Sequence, residues 1–268
     1  MAGGNTKALR VRIKSVSSTL QLTKAMGLVA SSKIRRANEA MMRAREYTES
    51  LSRSISQLLS DRECAKSPYA RQNSTGKTKI FVIAGDRGLA GGYNANIFRL
   101  CAEYKGAEFI PIGKRACEKN GKPINSSEKY SFDDAYAVAT EVCEEFKRGE
   151  FDRLGIISTK YRSIMTQEAD ITWILPFERE EVEGAAGTVF EPDCTTVLEM
   201  SVREYVAGML TAAVRESFAC EVTARRMAMD SAGKNAKEMI DKLSLEYNRA
   251  RQGAITQEIT EIVAGSGS

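Results

Sequence analysis

Residues 13–58 read IKSVSSTLQLTKAMGLVASSKIRRANEAMMRAREYTESLSRSISQL. Within them Ile13, Val16, Leu20, Thr23, Gly27, Ala30, Ile34, Ala37, Met41, Ala44, Thr48, Leu51, Ile55 and Leu58 follow one another at alternating steps of three and four. A 3.5-residue period keeps one stripe of a helix turned toward a partner helix, which is the coiled-coil condition. No proline occurs before Pro68, so nothing forces an early break. The pattern predicts one helix over residues 5–61, and at 1.5 Å per residue positions 9–60 would span roughly 75 Å. Gly27 costs such a helix about 1 kcal/mol relative to alanine. Either a close helix–helix approach demands it, or it is a tolerated defect.

The far end of the chain carries a second pattern of this kind. After Pro192 there is no proline, and a helix is expected over about residues 198–263, on the order of 95 Å long. Ala236, Ile240, Leu243, Tyr247, Ala250 and Ala254 keep the heptad, and the stripe then shifts to Ile255, Ile259 and Ile262. Such a shift is a stutter. The isoleucines near the chain end belong either to a bundle core or to a shaft tip held in an apolar sleeve.

Between the two patterns the sequence changes character. Pro68, Asn73, Ser74 and Gly76 mark a linker over residues 62–78. Lys79-Ile-Phe-Val-Ile-Ala84 reads as a strand buried on both faces. A glycine-rich turn follows, then a helix to about Lys105. Glu108-Phe-Ile-Pro-Ile112, Leu154-Gly-Ile-Ile-Ser158 and Asp170-Ile-Thr-Trp-Ile-Leu175 read as further strands. Gly113-Lys-Arg opens a short helix, and another is expected from Asp133 to Arg148 with Asp133 or Asp134 as its cap. Residues 184–192, with Gly184, Gly187 and Pro192, read as a loop. The expected fold is α/β: long N- and C-terminal helices (1–61 and 193–268) pair as an antiparallel coiled coil and bracket a Rossmann-like three-layer α/β domain over 79–192.

Composition narrows the chemistry. The 268 residues are 43% hydrophobic, enough for a packed core, with a net charge of +4. Residues 1–55 hold eleven Lys/Arg against three Asp/Glu, a basic helix that suits nucleic acid, anionic lipid or acidic protein loops. With no histidine and no CxxC pair among Cys64, Cys101, Cys117, Cys143, Cys194 and Cys220, a zinc site and a histidine base are not expected. The Met-Ala-Gly-Gly start followed by a basic helix suggests no signal peptide, so reduced thiols in a cytoplasmic protein are expected. No apolar run approaches 18 residues, and no direct membrane insertion is expected.

Two stretches invite a nucleotide reading. Gly76-Lys-Thr resembles the end of a phosphate loop, but Arg71 stands where that motif needs glycine, and the stretch precedes a strand instead of following one. Gly85-Asp-Arg-Gly88-Leu-Ala-Gly91-Gly92 follows a strand, yet it lacks GxGxxG spacing, and Asp86 sets negative charge near any phosphate. A tight strand-to-helix turn needing positive φ is the plainer reading. The carboxylates Glu144, Glu145, Glu178, Glu180, Glu181 and Glu183 fall in polar segments with no activated nucleophile beside them, so no catalytic, cofactor-binding or metal residue is assigned.

Several motifs, in order along the chain, resemble the γ subunits of F-type ATP synthases. They are Ile13-Lys-Ser-Val16, Leu22-Thr-Lys-Ala-Met26, Val29-Ala-Ser-Ser-Lys-Ile-Arg-Arg36, Asp86-Arg-Gly-Leu-Ala-Gly-Gly-Tyr-Asn94, Ala224-Arg-Arg-Met-Ala-Met229, Tyr247-Asn-Arg-Ala-Arg-Gln252, Ile255-Thr-Gln-Glu258 and Glu261-Ile-Val263. The resemblance implies the central rotor shaft, turning inside three α and three β subunits, its foot docked on the ε subunit and the membrane c-ring. It implies a non-catalytic subunit without cofactor, coupling ion-driven rotation to ATP synthesis or hydrolysis. It places the chain peripherally on the cytoplasmic side of the cell inner (plasma) membrane, in a bacterial-type complex.

The same resemblance implies roles for particular residues. Met26 stands where the family packs the shaft against moving beta-subunit loops. Arg225, Gln252, Thr256 and Glu258 match a second coupling region, and Arg251 with Gln252 matches polar contacts to a beta-subunit catch loop. Lys24, Lys33, Arg35 and Arg36 are candidates for an acidic beta-subunit lever. The competing readings are a nucleotide-binding α/β enzyme with a helical dimerisation arm, and a basic coiled-coil scaffold for nucleic acid, whose affinity would fall steeply with salt.

Overall fold

The structure is a computed structural model that describes residues 2–71, 73–177 and 190–266, with side chains from residue 5. Glu178, Glu180, Glu181 and Glu183 and most of the loop expected over 184–192 lie outside the described residues. In chain order the elements are α1 (Ala2–Ser60), β1 (Thr78–Ile83), α2 (Tyr93–Cys101), β2 (Glu108–Ile112), α3 (Lys114–Asn120), α4 (Phe132–Lys147), β3 (Arg153–Tyr161), β4 (Gln167–Leu175) and α5 (Cys194–Ser266). Two compact units divide the chain: Met1–Ser31 with Arg225–Ser268, and Ser32–Ala224.

In the first unit the ends of α1 and α5 pair antiparallel. A Cβ added at Gly27 would lie 3.6 Å from Met229 Cβ, and one at Gly233 would lie 3.8 Å from Leu20 Cδ1, so the numbering falls on one helix as it rises on the other. Thr23 and Ala30 are buried on α1, as are Met229, Ala236 and Leu243 on α5. The 3.6 Å distance at Gly27 is ordinary contact, so the approach of the helices does not demand glycine there.

Within the second unit α1 and α5 also run antiparallel. Ala37 and Met41 cluster with Ala219, Arg45 pairs with Glu216 at 3.0 Å, and the Tyr47 hydroxyl donates to Glu204 at 2.6 Å. Here the approach is closer, and a larger residue would have to displace its neighbours. A Cβ on the buried Gly208 would meet Leu51 Cδ1 at 2.6 Å and the Tyr47 ring at 3.2 Å. None of the fourteen seam residues of α1 is exposed.

The sheet of the second unit has the order β2-β1-β3-β4, with β1 parallel to both neighbours and β4 antiparallel at the edge. Successive side chains of a strand point to opposite faces, and this parity sorts the core. Ile80, Val82 and Ile157 pack with Ile97 of α2 and Ala116 of α3. Phe81, Ile83, Leu154 and Ile156 pack on the other face against Ala139, Val142 and Phe146 of α4, and against Leu58, Val202 and Leu210 of the long helices. The three layers are therefore helices, sheet, helices. Residues 80–83 are all fully buried because β1 is central and covered on both sides.

Several boundaries differ from the expected ones, each for a local reason. The cap of α4 is neither Asp133 nor Asp134 but Ser131, whose hydroxyl accepts the Asp134 N–H while the Asp134 carboxylate accepts the Ser131 N–H. That reciprocal box satisfies two free donors at once. Strands β3 and β4 run past their apolar stretches because the hairpin goes on pairing through polar residues, Lys160 with Glu168 and Tyr161 with Gln167. Helix α2 stops at Cys101, short of Lys105. The expected linker holds two 3-10 turns, Cys64–Lys66 and Pro68–Ala70, that bury Cys64 and Tyr69. Cys64 is moreover bonded to Cys194, which corrects the expectation of six reduced thiols; the other four cysteines are free.

Candidate functional site

The turn after β1 is the place where a doubly wound sheet binds a phosphate group, at the carboxyl ends of its strands. In this chain Asp86 occupies it. Its carboxylate accepts the backbone N–H of Lys114 at 3.1 Å, of Ser127 at 2.9 Å and of Glu128 at 3.2 Å, and the hydroxyl of Ser126 at 2.5 Å. Burial pushes the Asp86 carboxyl up, but the Ser126 hydroxyl and then the backbone donors outweigh it and hold the group below its ordinary value. The Lys114 N–H, on the first residue of α3, is a donor that a bound anion would use. A protein carboxylate already takes it.

Asn94 completes the turn, accepting the Gly85 N–H at 2.9 Å and donating to the Arg87 carbonyl at 3.2 Å. Positive φ falls at Gly91, as the turn reading expects, and also at Leu89, but not at Gly85, Gly88 or Gly92. The motif is thus a brace: it fastens β1 to the α3 segment, and the buried Tyr93 donates from its hydroxyl to the Ser217 carbonyl of α5 at 3.0 Å. Gly113, where β2 enters α3, has φ +93°, and a Cβ there would sit 1.9 Å from the Ala84 carbonyl oxygen. No other residue type fits.

The residues singled out for partner contact fall at three places. In the first unit Met26 is half-buried and Lys24 exposed, and the neighbouring Gly27 faces Arg226 and Met229. Arg225 is half-buried at the same level. The residue that organises this level is Arg226, which sequence reasoning passed over. Its guanidinium donates to the Gly27 carbonyl at 3.2 Å, to the Ser31 hydroxyl at 2.5 Å and to Asp230 at 2.8 Å. A pair of arginines was visible in Ala224-Arg-Arg-Met. What singles out the second is a partner carbonyl 199 residues away.

About 40 Å further along α5, by the rise per residue, lie Arg251, Gln252, Thr256 and Glu258, all exposed. The Thr256 hydroxyl donates back to the Gln252 carbonyl at 3.0 Å, leaving both Gln252 and Glu258 side chains on the surface. Arg251, Ile255, Glu258 and Ile262 share one helical stripe. Ile255, Ile259, Ile262 and Val263 are exposed, Ile262 by 70%. The structure therefore does not use them as an internal bundle core.

Lys33, Arg35 and Arg36 belong to the second unit. The Lys33 ammonium pairs with Glu128 at 2.5 Å and lies 6.0 Å from the Phe218 ring. Arg35 reaches only a loose pair with Glu39 at 3.8 Å, and Arg36 is exposed. Among the described residues no helix is long and apolar enough to cross a membrane.

Comparison with known proteins bears on this arrangement directly. The sequence profile of a family described as ATP synthase matches residues 5–268. The chain is 42% identical over 280 residues to the ATP synthase gamma chain of Ruminococcus albus, covering 98% of each. It is 37% identical over 295 residues to the sodium ion specific ATP synthase gamma chain of Acetobacterium woodii, again covering 98% of each. Among solved structures, a chain of the Euglena gracilis mitochondrial ATP synthase in rotational state 3 shares the fold with a TM-score of 0.67 at 19% identity. That alignment covers 99% of this chain and 94% of that one.

Proposed function

The chain belongs to the family of ATP synthase gamma chains, and from that premise we propose that it is the central rotor shaft of a bacterial-type F-type ATP synthase. It couples ion-driven rotation of a membrane c-ring to ATP synthesis or hydrolysis at three β subunits set among three α subunits. It is not itself catalytic: the turn that could have taken a phosphate is filled by Asp86. The α/β insert is the foot, which meets the ε subunit and the c-ring. The assembly holds the chain peripherally on the cytoplasmic face of the inner membrane.

The observation that carries this reading is the uncovered apolar end of α5. A run of four exposed aliphatic residues, Ile255, Ile259, Ile262 and Val263, stands on a helix whose preceding heptad positions are buried or half-buried. Exposed apolar surface of this extent marks an interaction site. A sleeve formed by α and β subunits would cover it, with Arg251, Gln252, Thr256 and Glu258 supplying polar contacts below the tip. Lys24, Arg35, Arg36 and, in exchange for Glu128, Lys33 offer positive charge to acidic beta-subunit segments. For such contacts to couple rotation to chemistry, they must differ between the states of each β site, since a ligand or partner shifts an equilibrium only by its differential affinity.

The test is assembly. Mixed with α and β subunits of the same source, the chain is expected in a particle with one copy per three α and three β. The ATPase activity of that particle should lie well above that of α and β alone. Three folded components that stay apart would refute the reading.

A further inference from the structure

Cys64 lies in the 3-10 turn just after α1, and Cys194 is the first residue of α5. All four strands and helices α2, α3 and α4 fall between them in the sequence, so their bond, with a sequence separation of 130, closes the whole insert into one loop at its neck. Each cysteine is also held by contacts other than the bond. Cys64 is fully buried in the core that holds Leu58, Tyr69 and Leu198. Cys194 is fixed by the cap of its own helix: the Asp193 carboxylate accepts the Thr196 N–H at 2.9 Å and the hydroxyls of Thr195 and Thr196 at 2.5 and 2.7 Å. The Cα atoms stand 6.1 Å apart, inside the range a disulfide spans. Their exposures differ, however: Cys64 has none, and Cys194 is half-buried.

We propose that Cys64 and Cys194 form a thiol–disulfide switch at the neck of the insert, opened by a small dithiol that attacks from the Cys194 side. A reductant thiolate attacks Cys194 Sγ, and the Cys64–Cys194 bond breaks with Cys64 leaving as a thiolate that takes a proton from solvent. The second thiol of the reductant then displaces Cys194, which is protonated in turn. Two electrons and two protons pass to the protein, and the dithiol becomes a cyclic disulfide. Because both thiols remain seated side by side, a disulfide oxidant such as oxidised glutathione closes the bond again. The remaining thiols compete poorly: Cys117 is fully buried, burial pushes Cys101 up to about 11 and Cys143 and Cys220 up to about 12, and only an accessible thiolate exchanges. With the bond closed, the two chain segments joining insert to helices are cross-braced. With it open, only the non-covalent core holds them.

The full chain, oxidised with glutathione disulfide and then denatured, should take up four alkyl groups per molecule by mass, and six after dithiothreitol. Its melting temperature should fall by roughly 5–10 °C on reduction. Cys64→Ser and Cys194→Ser variants should show no such response. In the native state, oxidised glutathione should add one glutathione to Cys194 of Cys64→Ser and none to Cys64 of Cys194→Ser. Six alkyl groups on the oxidised chain, a melting temperature indifferent to dithiothreitol, or modification of both single variants alike would each overturn the proposal.

Discussion

The Asp86 carboxylate draws together donors from residues 114, 126, 127 and 128, so its removal should loosen the whole turn. Asp86→Asn replaces an ionised acceptor with a neutral amide and should cost about 1–2 kcal/mol, allowing for partial solvent screening. A carboxyl held below its unfolded value of about 3.9 adds stability that is whole above that pH and fades as pH falls through the folded value. Acid denaturation of the wild type should therefore be steeper below about pH 4 than that of the variant, a difference that circular dichroism across pH would register. Two glycines make the opposite pair. Gly27→Ala, with 3.6 Å of room, should stabilise the chain by up to about 1 kcal/mol through helix propensity. Gly208→Ala, which drives a Cβ to within 2.6 Å of Leu51, should cost about 1 kcal/mol net, overpacking outweighing the propensity gain. Equal signs in a denaturant titration would contradict the packing described for the two helices. The sequence marks Gly27 and passes over Gly208, because a heptad shows where a seam runs but not how closely two backbones approach.

At the level of elements, the antiparallel pair rests on the seam. Leu20→Asp sets a charge on a half-buried position that faces the Gly233 level of α5. It should separate the helices of that unit, which far-ultraviolet circular dichroism and assembly with α and β subunits would show as lost helicity and lost particles. Unchanged values would contradict the intramolecular pairing. Ser131→Ala removes one half of a capping box and should cost about 1 kcal/mol at α4. How much of this was legible follows from what each signal depends on. A 3.5-residue period is a property of one helix, so the seam of α1 reads straight from the chain, as does the burial of β1 on both faces, which its unbroken apolar run announces. The Ser131 cap was hidden by two aspartates next to it, since any of the three residues could cap in isolation. Arg226 and the ligands of Asp86 were hidden more deeply. Their partners lie tens to hundreds of residues away, and only the fold brings them together.

Along the whole chain two long helices flank an α/β insert in the sequence, and the chain's proposed work is transmission. Met26 is half-buried beside the Gly27–Arg226 level, where a beta-subunit loop would press on the shaft. Met26→Lys should impair coupling more than ATP hydrolysis, seen as proton or sodium pumping that falls several-fold while ATPase changes little. Equal loss of both would remove Met26 from the coupling role. The most direct test of the rotor reading is to fix the particle through its α and β subunits, tag the insert, and watch the tag by single-molecule microscopy as ATP is supplied. Rotation of the tag in one sense, pausing in thirds of a turn to match three β sites, is the predicted result. A tag that stays still while the particle hydrolyses ATP would contradict it.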